Sequence, residues 1–122
     1  MISATLRMTV KDEKKVDVME TIRGMMEPIR VEPGCLKQHL YEDVEDKNTL
    51  AVVGVWKSRE DLEKHIRTEN FRNLLALMNY LSEPPELQFH TISQSAGKEL
   101  IESVLLGNGY PDINGAGGFQ EL

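Results

Sequence analysis

The chain has one cysteine, Cys35, and one tryptophan, Trp56, and only 6% of its 122 residues are aromatic. A lone cysteine closes no internal disulfide and builds no zinc site of paired cysteines. Long apolar runs are missing as well. The longest near-continuous one, Leu50 to Trp56, falls far short of the roughly 20 residues a membrane helix needs. The opening stretch MISATLRMTVKDEKK has no basic segment followed by an apolar core and a small-residue cleavage site. A secretory leader is therefore not expected, and a cytoplasmic location is. Positive charge is scarce: 14 Lys+Arg stand against 20 Asp+Glu, a net charge of −6. Dispersed lysines on an acidic chain do not make the electrostatic footprint of a nucleic-acid binder. Neither nucleic acid nor membrane is expected as a partner. There is no nucleophile elbow, glycine-rich phosphate loop, HExxH or dinucleotide fingerprint.

What remains is an ordinary globular composition, 40% hydrophobic and 28% charged. Ile2 to Val10 alternate as a first strand, with Ile2, Ala4, Leu6, Met8 and Val10 on one face. Asp12 is placed to cap a helix from about Glu13 to Val31, whose stripe is Val18, Ile22, Met25, Met26 and Ile29. Pro28 lies inside it and is expected to kink the last turn. Glu32-Pro33-Gly34 stops that helix, and Cys35 to Val44 alternate as a second strand, with Leu36, Gln38 and Leu40 opposite Cys35, Lys37 and His39. Asp46-Lys47-Asn48 reads as a hairpin turn into Thr49 to Lys57. This third strand is apolar on both faces, through Leu50, Val52 and Trp56 and through Ala51, Val53 and Val55. The chain's own helices can cover one face; the other asks for a partner subunit.

Ser58-Arg59-Glu60-Asp61 has the form of a capping box, and Thr68 can restart the helix. Phe71, Leu74, Leu75, Met78 and Leu81 then keep a helical stripe to Ser82, which Pro84-Pro85 ends. Leu87 to Ser93 is a fourth strand. The order βαββαβ predicts an α+β, ferredoxin-like antiparallel sheet with its helices on one face. Residues 1–94 form that domain. Residues 95–122 add a short amphipathic helix with Leu100, Ile101, Val104 and Leu105, then a glycine-rich tail, expected to pack on a partner subunit.

Few residues can carry chemistry. His39, His65 and His90 fall on separate elements, without the spacing that sets two ligands on one helical face, so no metal site is expected. Glu42, Asp43, Glu45 and Asp46 straddle a turn and read as a solvated hairpin end. One set is left: Trp56 at a strand end, His65 in the next helix, and Asn70-Phe71 just beyond. His65 reads either as a partly buried structural histidine or as a base in a pocket between helices and sheet. Trp56 and Met8, Met25, Met26 and Met78 read first as core, although methionine-lined pockets suit flat apolar ligands.

These pieces, taken in order, resemble the antibiotic-biosynthesis monooxygenase family. The resemblance rests on Glu32-Pro33-Gly34-Cys35-Leu36, Leu40-Tyr41-Glu42-Asp43, Trp56-Lys57-Ser58, Leu62-Glu63-Lys64-His65 and Phe71, with His65 and Phe71 at the family's spacing. It covers about residues 2–93. It implies a homodimer whose sheets face each other as a dimeric α+β barrel. It also implies a cofactor-independent oxygenase that takes a small aromatic quinol or phenol and O₂, with neither metal nor flavin. His65 would then be the catalytic residue, and Leu6, Met8, Trp56, Phe71, Leu75 and Met78 would bind the substrate.

Two departures stand out: Gly54 where members often carry a glutamate, and Gln38 where they often carry an aromatic. Both favour an alternative, a non-catalytic dimeric protein of this fold that holds a small ligand. The heme-degrading branch's catalytic asparagine, tryptophan and histidine align with Leu6, His65 and Leu75, so heme breakdown is not expected. Arg7, Arg67 and Arg72 are available to a phosphorylated ligand, although no phosphate clamp is evident.

Overall fold

Strand alternation and helical stripes become βαββαβ in the computed structural model, which describes residues 1–107. The chain divides into two units, Met1–Ile92 and a second beginning at Ser93. In the first, β1 (Ile2–Thr9), β2 (Cys35–Glu42), β3 (Thr49–Trp56) and β4 (Glu86–Thr91) form one antiparallel sheet in the order β2-β3-β1-β4. Leu6 pairs with Val52 and Met8 with Leu50. These even-numbered residues point to the helix-covered face and are buried. On the other face, Ala51, Val53 and Val55 stay half-buried and outside the core.

Helix α1 (Lys15–Arg30) buries Val18, Ile22, Met26 and Ile29 and runs through Pro28 without a break. Asp12 does not cap it. It opens a 3₁₀ turn, Asp12–Lys14, and the N-cap position falls to Lys14 with no side-chain bond. Helix α2 (Arg59–Ile66) starts as the capping box predicts, with Asp61 N donating to Ser58 Oγ at 3.2 Å. Helix α3 (Glu69–Ala76) is capped by Thr68, whose Oγ1 accepts from Phe71 N at 3.2 Å. It ends earlier than its stripe suggests, passing at Leu77–Tyr80 into a 3₁₀ turn.

A second correction concerns β2. Cys35 and Lys37 both sit opposite β3, at Trp56 and Val55, so Leu36 is bulged out. Cys35 therefore turns inward against the core and Leu36 is exposed, the reverse of simple alternation. In the second unit, α4 (Lys98–Gly107) carries Leu100, Ile101 and Val104 exposed and buries no residue. The expected glycine-rich tail lies, beyond Gly107, outside the described residues. Among the described residues no helix is long and apolar enough to cross a membrane.

Candidate functional site

The site starts from a tight turn. Gly34 has φ +82°, a left-handed conformation glycine adopts without penalty. A Cβ there would also collide with the side chain of Asp61, which is itself held by Ser58 Oγ at 3.0 Å. Lys57 N donates to Gly34 O at 2.8 Å, so the turn is pinned to both the end of β3 and the first turn of α2. Pinned there, Glu32 reaches two helices at once. Its Oε1 is 2.8 Å from His65 Nδ1, and its Oε2 accepts from Asn70 Nδ2 at 3.0 Å.

The carboxylate can only accept, so in the neutral ring the proton sits on Nδ1 and the lone pair on Nε2. Nε2 has no hydrogen-bond partner among the described residues. The His65 ring stacks on Trp56 (centroids 4.4 Å apart, planes 23° apart) and meets the Phe71 edge at 5.3 Å. The helix break contributes to this: Thr68 Oγ1 donates to His65 O at 2.7 Å and receives Phe71 N, folding Asn70 and Phe71 back onto the imidazole.

His65 and Trp56 form part of the wall of a cavity of about 90 Å³. Leu6, Val52 and Gly54 line its sheet side, and Leu74 and Met78 its helix side. Leu75, Leu87 and Phe89, each nearly half exposed, form an apolar mouth beside the edge strand β4. One further polar group belongs to the wall. Gln38 is only 4% exposed, and its amide has no hydrogen-bond partner among the described residues. It occupies the room left by Gly54: a Cβ at 54 would run into Gln38 Oε1 and lie 3.2 Å from Trp56 Nε1.

Of the residues read from the sequence, His65, Leu6, Trp56, Phe71, Leu75 and Met78 come together around this cavity. Met8 does not. It pairs with Leu50 at the far end of β1 and is wholly enclosed in the core, two residues beyond the cavity wall at Leu6. Glu32 was legible only as a turn residue; the polar neighbours Asn70 and His65 thirty-odd positions later were the available hint. His39 and His90 are exposed and line no part of the cavity, and no group of three or more His, Cys, Asp or Glu among the described residues could hold a metal ion. Cys35 also stays outside it. Burial, and secondarily the Glu32 carboxylate, push its thiol above the ordinary range.

The acidic hairpin end is solvated, as expected. Asp43 Oδ1 accepts from Glu45 N at 2.7 Å and Asp46 N at 3.1 Å, and these bonds hold its carboxyl below the usual range. None of Arg7, Arg67 and Arg72 lines the cavity. Arg7 pairs with Asp43 and Arg72 with Glu69 on the surface.

A family model described as antibiotic biosynthesis monooxygenase matches residues 1–77. The uncharacterized Synechocystis protein sll1783 is 30% identical over 87 residues, 70% of this chain and 59% of its own, so the chain spans under two thirds of that relative's length. YcnE of Bacillus subtilis, whose name gives it as a candidate monooxygenase, is 26% identical over 85 residues, 70% of this chain and 90% of its own. A crystal structure of an antibiotic biosynthesis monooxygenase superposes with a TM-score of 0.70 at 25% identity, covering 77% of this chain and all of the other.

Proposed function

As the chain belongs to the antibiotic biosynthesis monooxygenase family, we propose that it oxidises a small aromatic quinol or phenol with O₂ and needs no cofactor. The observation that carries this reading is the Glu32–His65 pair at the cavity wall, with Nε2 unpartnered in a largely apolar space. His65 Nε2 takes the phenolic proton, while Glu32 holds the ring in the matching tautomer and offers a counter-charge. The phenolate is rich enough in electrons to reduce O₂ itself. A carbon–oxygen bond forms at the ring, the O–O bond breaks, and the second oxygen leaves as water. For a quinol the sum is quinol plus O₂ giving hydroxyquinone plus water. The substrate supplies all the electrons, and the protein supplies orientation, desolvation and a base.

The folded part of this reading is residues 1–94, with 95–122 as an extension that packs on a partner subunit. Its working form is a homodimer closed through the outer face of the sheet, supported by half-buried Ala51, Val53 and Val55. Leu6, Trp56, Phe71, Leu75 and Met78 bind the substrate.

O₂ uptake with a panel of quinols and hydroxynaphthalenes tests the chemistry. His65→Ala is expected to lower the rate about 10²- to 10⁴-fold, the usual worth of a positioned base. A panel without uptake, or a His65→Ala protein as active as its parent, overturns it. Tight ligands recovered chemically unchanged would instead support the non-catalytic binding protein, which the Gly54 and Gln38 departures favour.

A further inference from the structure

Gln38 is the one buried polar side chain of the cavity that the proposed chemistry leaves unused. Its amide atoms are not sealed off, since among the described residues only Asn48 Oδ1 is a fully enclosed side-chain polar atom without a partner; they keep a little open surface at the cavity wall, where a ligand can complete them. Its surroundings are also fitted to it. Gly54 leaves the space: a Cβ there would run into Gln38 Oε1 and crowd Trp56 Nε1 at 3.2 Å, so the amide and the indole N–H border the same gap. The indole N–H likewise has no hydrogen-bond partner among the described residues. Trp56 in turn stacks on His65. Three polar side chains are therefore neighbours on one wall: the His65 imidazole, the indole N–H, and an amide that offers one donor end and one acceptor end whichever way it is turned. The rest of the wall is aliphatic or aromatic.

Size narrows the ligand further. The cavity is about 90 Å³, whereas an apolar cavity that holds benzene is roughly 150 Å³. One ring fits with its outer edge in the mouth between Leu75 and Phe89, whereas a second fused ring would stand out through that mouth, away from the polar groups.

We propose that Gln38, in the space opened by Gly54, selects a single-ring arene bearing a second oxygen besides the reacting hydroxyl. The hydroxyl faces His65 Nε2, and the second oxygen, a hydroxyl or a carbonyl, is held by the Gln38 amide and the Trp56 N–H. This rests on the oxygenase reading for the word "reacting", but the selection itself is a matter of binding.

Trp56 is the only tryptophan and lines the cavity, so quenching of its fluorescence reports occupancy without turnover. The probes are phenol, catechol, hydroquinone, 2-hydroxyacetophenone and 1,4-dihydroxynaphthalene, titrated without O₂. The wild type is expected to bind the best dioxygenated single ring about ten-fold more tightly than phenol, the worth of one good hydrogen bond to a buried amide. Gln38→Leu, and Gln38→Met as a variant of matching length, are expected to bring that ratio close to one, chiefly by binding phenol better. Equal affinity for phenol and the dioxygenated rings in the wild type, an unchanged ratio in both variants, or tightest binding of the naphthalene diol overturns the proposal. The same proteins then receive O₂. Selective binding without uptake leaves the Gln38 proposal standing and removes the oxygenase reading. Uptake without selectivity does the reverse.

Discussion

The inner face of the sheet is covered by two helical layers built to opposite ends. Helix α1 presents Val18, Ile22, Met26 and Ile29, all at most 4% exposed, and none of them touches the cavity. The α2–α3 layer and the 3₁₀ turn after it present Leu62, His65, Phe71, Leu74, Leu75 and Met78, which all do, while Leu77 of the same turn goes to the core. A regular 16-residue helix with its stripe in phase leaves clefts only along its flanks, beside Met19 and Met26 on one side and Val18 on the other. Two eight-residue helices broken at Thr68, followed by a 3₁₀ turn, leave their gap underneath, and that gap holds the polar groups. Stability and chemistry are thus assigned to different layers of one sheet face.

Three experiments can break or sharpen that contrast. The largest effect is expected from a pair of truncations. Ile22→Ala, fully enclosed in the α1 stripe, should cost about 2–5 kcal/mol in denaturant unfolding, while Leu75→Ala, half exposed at the mouth, should cost under about 1 kcal/mol. Equal costs would mean the layers are not different. Next comes the turn that ties the layers together. Gly34→Ala should cost about 1–3 kcal/mol for its left-handed backbone, with further loss from the contact with Asp61. It should also loosen the Glu32–His65 bond, seen as a change in the His65 ring resonances. A Gly34→Ala protein of parent stability would show that the turn does not anchor the site.

The smallest effect concerns Cys35. Its thiol is raised by burial and by the Glu32 carboxylate, so at about pH 8 less of it is thiolate than in a free cysteine. Alkylation by iodoacetamide should be slower than for the free amino acid and should quicken as pH rises. Glu32→Gln removes the second cause and should speed it modestly. A rate equal to that of free cysteine would contradict the assigned environment.

Much of this was legible in the residues. Alternation in Ile2–Thr9 and Thr49–Trp56 placed two central strands, and the Ser58 and Thr68 caps placed both short helices, because these signals are local. The cavity's apolar lining followed from the stripe Phe71, Leu75, Met78. What escaped was long-range. Nothing near Glu32 announces that its carboxylate meets a histidine 33 residues away. Met8 shares its strand face with Leu6 but lies past the end of the gap, and a face does not reveal how far along it a void extends. The bulge at Leu36 leaves no mark in a pattern that alternates plausibly without it.

That bulge has a consequence for how the strand is phased. Cys35 and Gln38 both face inward, opposite Trp56 and Gly54, although three positions separate them. An unbroken pleat would send one of them outward. Leu36 works as a spacer between two parities: upstream it keeps the Glu32 turn in step with α2, and downstream it keeps the amide in step with β3. A protein lacking that one residue could satisfy either phase, the turn's or the strand's, but the two halves of the pocket's polar wall would no longer arrive on the same side of the sheet.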